Sequence, residues 1–161
     1  MRVLHIIVGL GDGGAEGVLS RLCMHNDSSK HMVISFMGEG KYEPILKDAG
    51  VEVISLGLQQ GKFNIKEFIK LIRLIKLIKP DVVQTWMYHA DLLGGVAARL
   101  AGIKNVFWGV RHSTLEPGKS KRSTIIIAKL CAHLSSVIPK KIICCAHDAL
   151  KVHQALGYSK N

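Results

Sequence analysis

The sequence predicts a doubly wound α/β fold, a mostly parallel sheet with helices on both faces. Three observations point there. Apolar runs alternate with amphipathic segments along all 161 residues. The apolar runs are continuous, as in strands covered on both sides. The helix-like segments also end on glycine just before the next run, at Asp48 to Val51, Leu100 to Ile103 and Ala155 to Tyr158. At 48% hydrophobic, a chain of this length builds its own core without disulfides or metal. Residues 1–161 therefore read as a single domain.

The elements follow in order. "RVLHIIV" is the first strand, and a helix over about Ala15 to Met24 follows it. "HMVISFM" is the second strand, with a short helix from Glu43 to Ala49. "VEVISL" is the third, followed by the longest helix, Asn64 to Ile78. "DVVQTW" precedes a small-residue helix from Ala90 to Ala101. "NVFWGV" leads through a long loop, Arg111 to Ser123, to a helix ending near Ser136. "KIICCA" and a helix from Asp148 to Leu156 complete the series. The longest apolar stretches are broken by Lys or Arg every few residues, whereas a membrane span needs about 20 uninterrupted residues. "MRVLHIIVGL" lacks a small-residue cleavage site, so it reads as a buried strand and the protein as cytoplasmic. Cys23, Cys131, Cys144 and Cys145 read as buried free thiols in a reducing compartment. No histidine lies at ligand spacing from two of them, so no metal is expected.

The first strand runs into "GLGDGGAEG", where Gly9, Gly11 and Gly14 fit the spacing GxGxxG between a strand and a helix. Glycine lets an anion approach the backbone, and the helix start offers free N–H groups. The same glycines also suit a tight turn with no ligand. A dinucleotide site wants an acid at the end of the second strand. Here that end is Phe36-Met37, Glu39 lies beyond it, and Asp12 sits inside the loop, awkward beside a pyrophosphate.

Several stretches together resemble the family-4 glycosyltransferases of the GT-B fold. They are "GDGGAEGVLSRL", "IKPDVVQTWMYHADLLGGVAARLAGI", "VFWGVRHS" and "PKKIICCAHDALKVHQALGY". They stand in family order and span essentially the whole chain, although Cys145-Ala146 occupy a place where many members have serine. The resemblance implies the N-terminal, acceptor-binding half of a retaining enzyme. A nucleoside-diphosphate sugar would be its co-substrate, with no tightly bound cofactor, and a glycan or lipid-linked molecule its acceptor. It implies that Gly11, Gly13 and Gly14 line the cleft near the donor diphosphate. His112 would reach the donor sugar or leaving phosphate as the candidate catalytic residue. Trp86, Tyr88, His89, Asp91 and Arg111 would form the acceptor side, an aromatic such as Trp86 or Tyr88 stacking on a sugar ring; the same stretch equally reads as a core Trp86 with His89 capping the following helix. The donor-gripping C-terminal domain, with its Glu-x7-Glu signature, is not in these residues, so the chain is expected to be inactive alone. The competing reading is a stand-alone nucleotide- or dinucleotide-binding domain without catalytic activity.

The remaining histidines carry less. His5 on its apolar strand reads as a satisfied core residue, Glu16 as an acid suiting the helix dipole, and His133, His147 and His153 show no pairing spacing. The net charge is +10. No aromatic-basic platform accompanies it, so nucleic acid is not an expected partner. Five cations, Lys66, Lys70, Arg73, Lys76 and Lys79, instead recur at steps of four and three along the longest helix. Opposite them the periodicity places Ile65, Phe68, Leu71, Ile72, Ile75 and Ile78, and only Glu67 offsets the charge. Such a stripe is either a solvated face or a surface for anionic lipid. On the second reading Lys66, Lys70, Arg73 and Lys76 face a membrane, the cluster Lys119 to Arg122 adds to it, and the protein is peripheral on the membrane's inner face.

Overall fold

The computed structural model describes residues 1–25, 28–59, 64–111 and 121–160. Strands and helices alternate as β1 (Arg2–Ile7), α1 (Gly14–His25), β2 (Lys30–Met37), α2 (Tyr42–Asp48), β3 (Glu52–Leu58) and α3 (Ile65–Ile78). The second half repeats the pattern: β4 (Val82–Trp86), α4 (Tyr88–Leu100), β5 (Val106–Val110), α5 (Arg122–Leu134), β6 (Lys141–Cys144) and α6 (His147–Ala155). All six strands pair in parallel, in the order β3-β2-β1-β4-β5-β6. This is the doubly wound α/β architecture that the sequence pattern predicts.

Local chemistry sets the helix ends. Asn64 caps α3 by accepting from the backbone N–H groups of Lys66 (3.0 Å) and Glu67 (3.2 Å). Lys79 closes the same helix in the left-handed region at φ 48°, just before Pro80. The other predicted stops share one geometry. After α2, the N–H of Gly50 reaches Lys47 O and that of Val51 reaches Leu46 O. Gly102 with Ile103, and Gly157 with Tyr158, repeat these bonds after α4 and α6. The three glycines have φ of 78°, 92° and 101°, which a side chain would oppose.

The core has two parts, one on each face of the sheet. Ile7, Leu10, Leu19, Val33, Leu46 and Trp86 pack under α1 and α2. The larger cluster joins Leu4, Ile6, Ile34, Val83 and Trp108 of the sheet to Leu71 and Ile75 of α3, Ala97 of α4 and Cys131 of α5. Burying a leucine or isoleucine fully contributes about 1.5–3 kcal/mol. The "LLGGVAARL" run of α4 is small because that helix lies close to the sheet. A Cβ added at Gly94 would stand 2.9 Å from Ile6 Cγ2, and one at Gly95 would stand 2.5 Å from Trp108 Nε1.

Two expectations about burial need correction. Cys145 is exposed and Cys144 only half-buried, because β6 is an edge strand that ends there. Ile65 is exposed rather than part of the inner face of α3, because at about 100° per residue it falls beside Lys76 and Ile69 on the outward arc, away from the buried Leu71 and Ile75.

Candidate functional site

The strand order reverses direction between β1 and β4, which are neighbours although α1 to α3 separate them in sequence. Crevices for ligands open at such switch points, beyond the carboxyl ends of the strands. A cleft of about 730 Å³ lies there. Val8, Phe36, Met37 and Leu58, from the ends of the first three strands, form one apolar wall. Met87, Tyr88, His89 and Leu93 come from the β4–α4 junction, and Lys121, Ser123, Thr124 and Ile127 from the start of α5. The surface is mainly apolar, with a few hydroxyls, the Gln59 amide, one imidazole and one ammonium group.

His89 stands in the first turn of α4, half-buried. Burial lowers its pKa below the usual imidazole value, so the ring is neutral at pH 7. It can therefore accept a hydrogen bond from a ligand hydroxyl. Met87 holds the junction in place with φ 69° and ψ 160°, a backbone state that costs about 1–3 kcal/mol for a residue with a side chain. Its N–H donates to Gly109 O at 3.0 Å, and its carbonyl accepts from Asp91 N at 2.8 Å. Nothing in the residue type signals this role; a methionine between a strand and a helix reads as ordinary core.

Three other predicted acceptor residues prove to be interior. Trp86 is fully buried, because β4 is a central strand and its end is covered by α1. Its indole N–H donates to His5 Nδ1 at 3.2 Å, so it is not placed to stack on a sugar. Tyr88 is 1% exposed; it borders the cleft but donates its hydroxyl to His153 Nε2 at 2.6 Å. The other His153 nitrogen faces Ala149 O, which fixes the tautomer and ties α6 to α4. Asp91 is fully buried beneath α4, within reach of the Thr85 hydroxyl and the Gly109 backbone. Burial raises its pKa to about 7, against the lowering effect of those two bonds. The Thr85 hydroxyl also lies 3.3 Å from Phe107 O. A protonated Asp91 can thus donate to Thr85 while Thr85 donates onward.

Arg111, just after β5, stacks its guanidinium 4.6 Å from the centroid of Trp86, and its buried Nε has no hydrogen-bond partner among the described residues. It is half-buried and does not line the cleft. His112 lies outside the described residues.

The glycine loop is open to solvent at the same edge, but none of its glycines borders the cleft. Gly11 and Gly14 are exposed, with free space beside them, whereas Gly13 lies under the Glu16 carboxylate. Asp12 is ion-paired with Lys41 at 2.8 Å. The turn before α2 clamps the loop: Tyr42 N–H donates to Leu10 O at 2.9 Å, and Gly40 packs directly on the Leu10–Gly11 backbone.

His5, Cys23 and His31 bring three ligand-type atoms within 4.8 Å of one another in the core. Their protons describe a hydrogen-bond chain. Trp86 donates to His5 Nδ1, so His5 carries its proton on Nε2 and gives it to His31 Nδ1 at 2.9 Å. The facing ring nitrogens are thereby used by each other, and burial pushes the Cys23 thiol up to about 12. His5 is thus the satisfied core residue that its strand predicts.

No family model matches the sequence, and no curated protein matches it. Solved structures do match in fold. One is HepE of Anabaena in complex with UDP (TM-score 0.79, 16% identity), with 99% of this chain and 42% of that one aligned. Another is the lipopolysaccharide outer core galactosyltransferase WaaB (0.63, 14%), covering 99% and 43%. A third is the UDP-GlcNAc 2-epimerase of Methanocaldococcus jannaschii (0.65, 15%), covering 99% and 43%. At these identities the likeness shows the fold: this chain has the Rossmann-like architecture of a domain in GT-B glycosyltransferases and related epimerases. It spans a little over two fifths of their length.

Proposed function

We propose that this chain is the N-terminal, acceptor-binding half of a retaining glycosyltransferase that uses a nucleoside-diphosphate sugar. The observation that carries the reading is the cleft at the β1/β4 switch point, where a neutral His89 and a few hydroxyls face a mainly apolar wall. In this reading His89 accepts a hydrogen bond from the attacking hydroxyl and orients it, and the Ser123 and Thr124 hydroxyls hold neighbouring polar groups. Orientation of this kind supplies a large share of rate enhancement in a transfer between two bound substrates. The apolar wall suits a lipid-linked acceptor better than a wholly polar glycan. Gly11, Gly13 and Gly14 offer backbone N–H groups toward the leaving diphosphate, and His112 is the candidate to reach the donor sugar or that phosphate. A second, donor-gripping domain supplies the facing wall, and the reaction takes place in the cytoplasm.

Calorimetric titration of n-hexyl β-D-glucoside and its galactoside, UDP, GDP and NAD tests the reading. It expects millimolar alkyl-glycoside binding that His89→Ala abolishes without changing the far-UV circular dichroism, and no NAD binding. NAD binding, or glycoside binding indifferent to His89→Ala, overturns it.

A further inference from the structure

The outward face of α3 is unusual for a solvated helix. Its seven exposed residues are Ile65, Lys66, Ile69, Lys70, Arg73, Lys76 and Leu77. At about 100° per residue they fill one arc of about 140°. Every one is either a cation or a large aliphatic. Glu67, the only acid of the helix, falls on the inner flank, half-buried. The aliphatics are well out in solvent: Ile65 is 69% exposed, Ile69 43% and Leu77 79%. The inner arc, with Leu71 and Ile75 fully buried, anchors the helix to the core, and none of the three outer aliphatics belongs to that core.

We propose that this arc lies on an anionic lipid bilayer, with Ile65, Ile69 and Leu77 inserted below the headgroups and the four cations at their level. Four positive charges with no acid among them call for a negatively charged partner. A second copy of the chain would oppose like charge with like. The interleaved aliphatics separate the remaining candidates, because a nucleic acid backbone offers them nothing, whereas a bilayer interface takes cations and aliphatics on one helix face together. The inference concerns α3 alone and does not depend on what the cleft binds.

Cosedimentation of the chain with vesicles tests it, using equal phosphatidylglycerol and phosphatidylcholine against pure phosphatidylcholine, at low and high salt. Binding is expected to the anionic vesicles only and to weaken with salt. Each cation near such a surface is worth about a fivefold gain in affinity, so Lys70→Glu, Arg73→Glu and Lys76→Glu together should cost at least about 100-fold. Ile69→Ser with Leu77→Ser should cost about tenfold at unchanged charge. Lys151→Glu, on the exposed side of α6, serves as the charge control and should cost less than twofold. Melting temperature verifies that each variant folds. The proposal is overturned by absence of vesicle binding, by equal binding to neutral vesicles, or by insensitivity to the triple charge reversal. An unaffected serine pair, or equal competition by a soluble polyanion such as heparin in both backgrounds, would instead mark simple adhesion to any acidic macromolecule and also overturns it.

Discussion

Met87 shows how one residue shapes the cleft. Its φ of 69° aims the start of α4 at the switch point, and the state is open to glycine at little cost. Met87→Gly should therefore be more stable than Met87→Ala by about 1 kcal/mol in chemical denaturation, the reverse of the usual order. If alanine is the more stable, the backbone there is not strained. The buried titratable residues yield a second expectation. Burial, then the neighbouring His31, lowers the pKa of His5 to about 3. The unfolded chain binds that proton below pH 6.5, so stability is lost as pH falls from 6.5 toward 3. Burial lowers His31 and His89 too, which adds to this loss. Asp91 works the other way: its folded carboxyl holds a proton up to about 7 and its unfolded one only to 3.8, so stability is gained as pH falls between them. From about pH 4 to 6.5 the His5 and Asp91 slopes offset each other. Asp91→Asn removes the gain, and acidification from pH 7 to 4 should then destabilise the variant by on the order of 3 kcal/mol more than the parent. Urea denaturation across that range reads this directly, and equal pH slopes would contradict it.

At the level of elements, the glycine loop depends on its neighbour. Gly40 abuts the Leu10–Gly11 backbone so closely that any Cβ would displace it. Gly40→Ala should cost about 1–3 kcal/mol and speed amide exchange at Tyr42, whose N–H bonds Leu10 O. Unchanged exchange there would mean that the two turns are not coupled. Helices and strands were legible in the sequence to within a residue or two, because caps such as Asn64 and stops such as Gly50, Gly102 and Gly157 act locally. The exposure of Ile65 was not, since an isoleucine at the edge of the apolar stripe reads as inward until the buried Leu71 and Ile75 fix which arc of the helix meets the core. The outward aliphatics of α3 became visible only with that contact known.

For the whole molecule, what resisted reading was burial at the site. Trp86, Tyr88 and Asp91 stand in a stretch that looks polar and aromatic, as a sugar site should. Strand order decides their fate, because β4 lies between β1 and β5 and its end is covered by α1 on one face and α4 on the other. Strand order arises from contacts far apart in sequence, and no local pattern encodes it. His89 differs because it is one helical position from Tyr88 and turns outward to the rim. The proposed acceptor site is the switch-point cleft with His89 on its rim. The most direct test is a map of backbone amide shifts on 15N-labelled chain titrated with n-hexyl β-D-glucoside. Saturable shifts are expected centred on Met87, His89, Thr124 and Met37, with the interior amides of α2 unmoved. Shifts absent from those four positions, or centred elsewhere on the molecule, would contradict it.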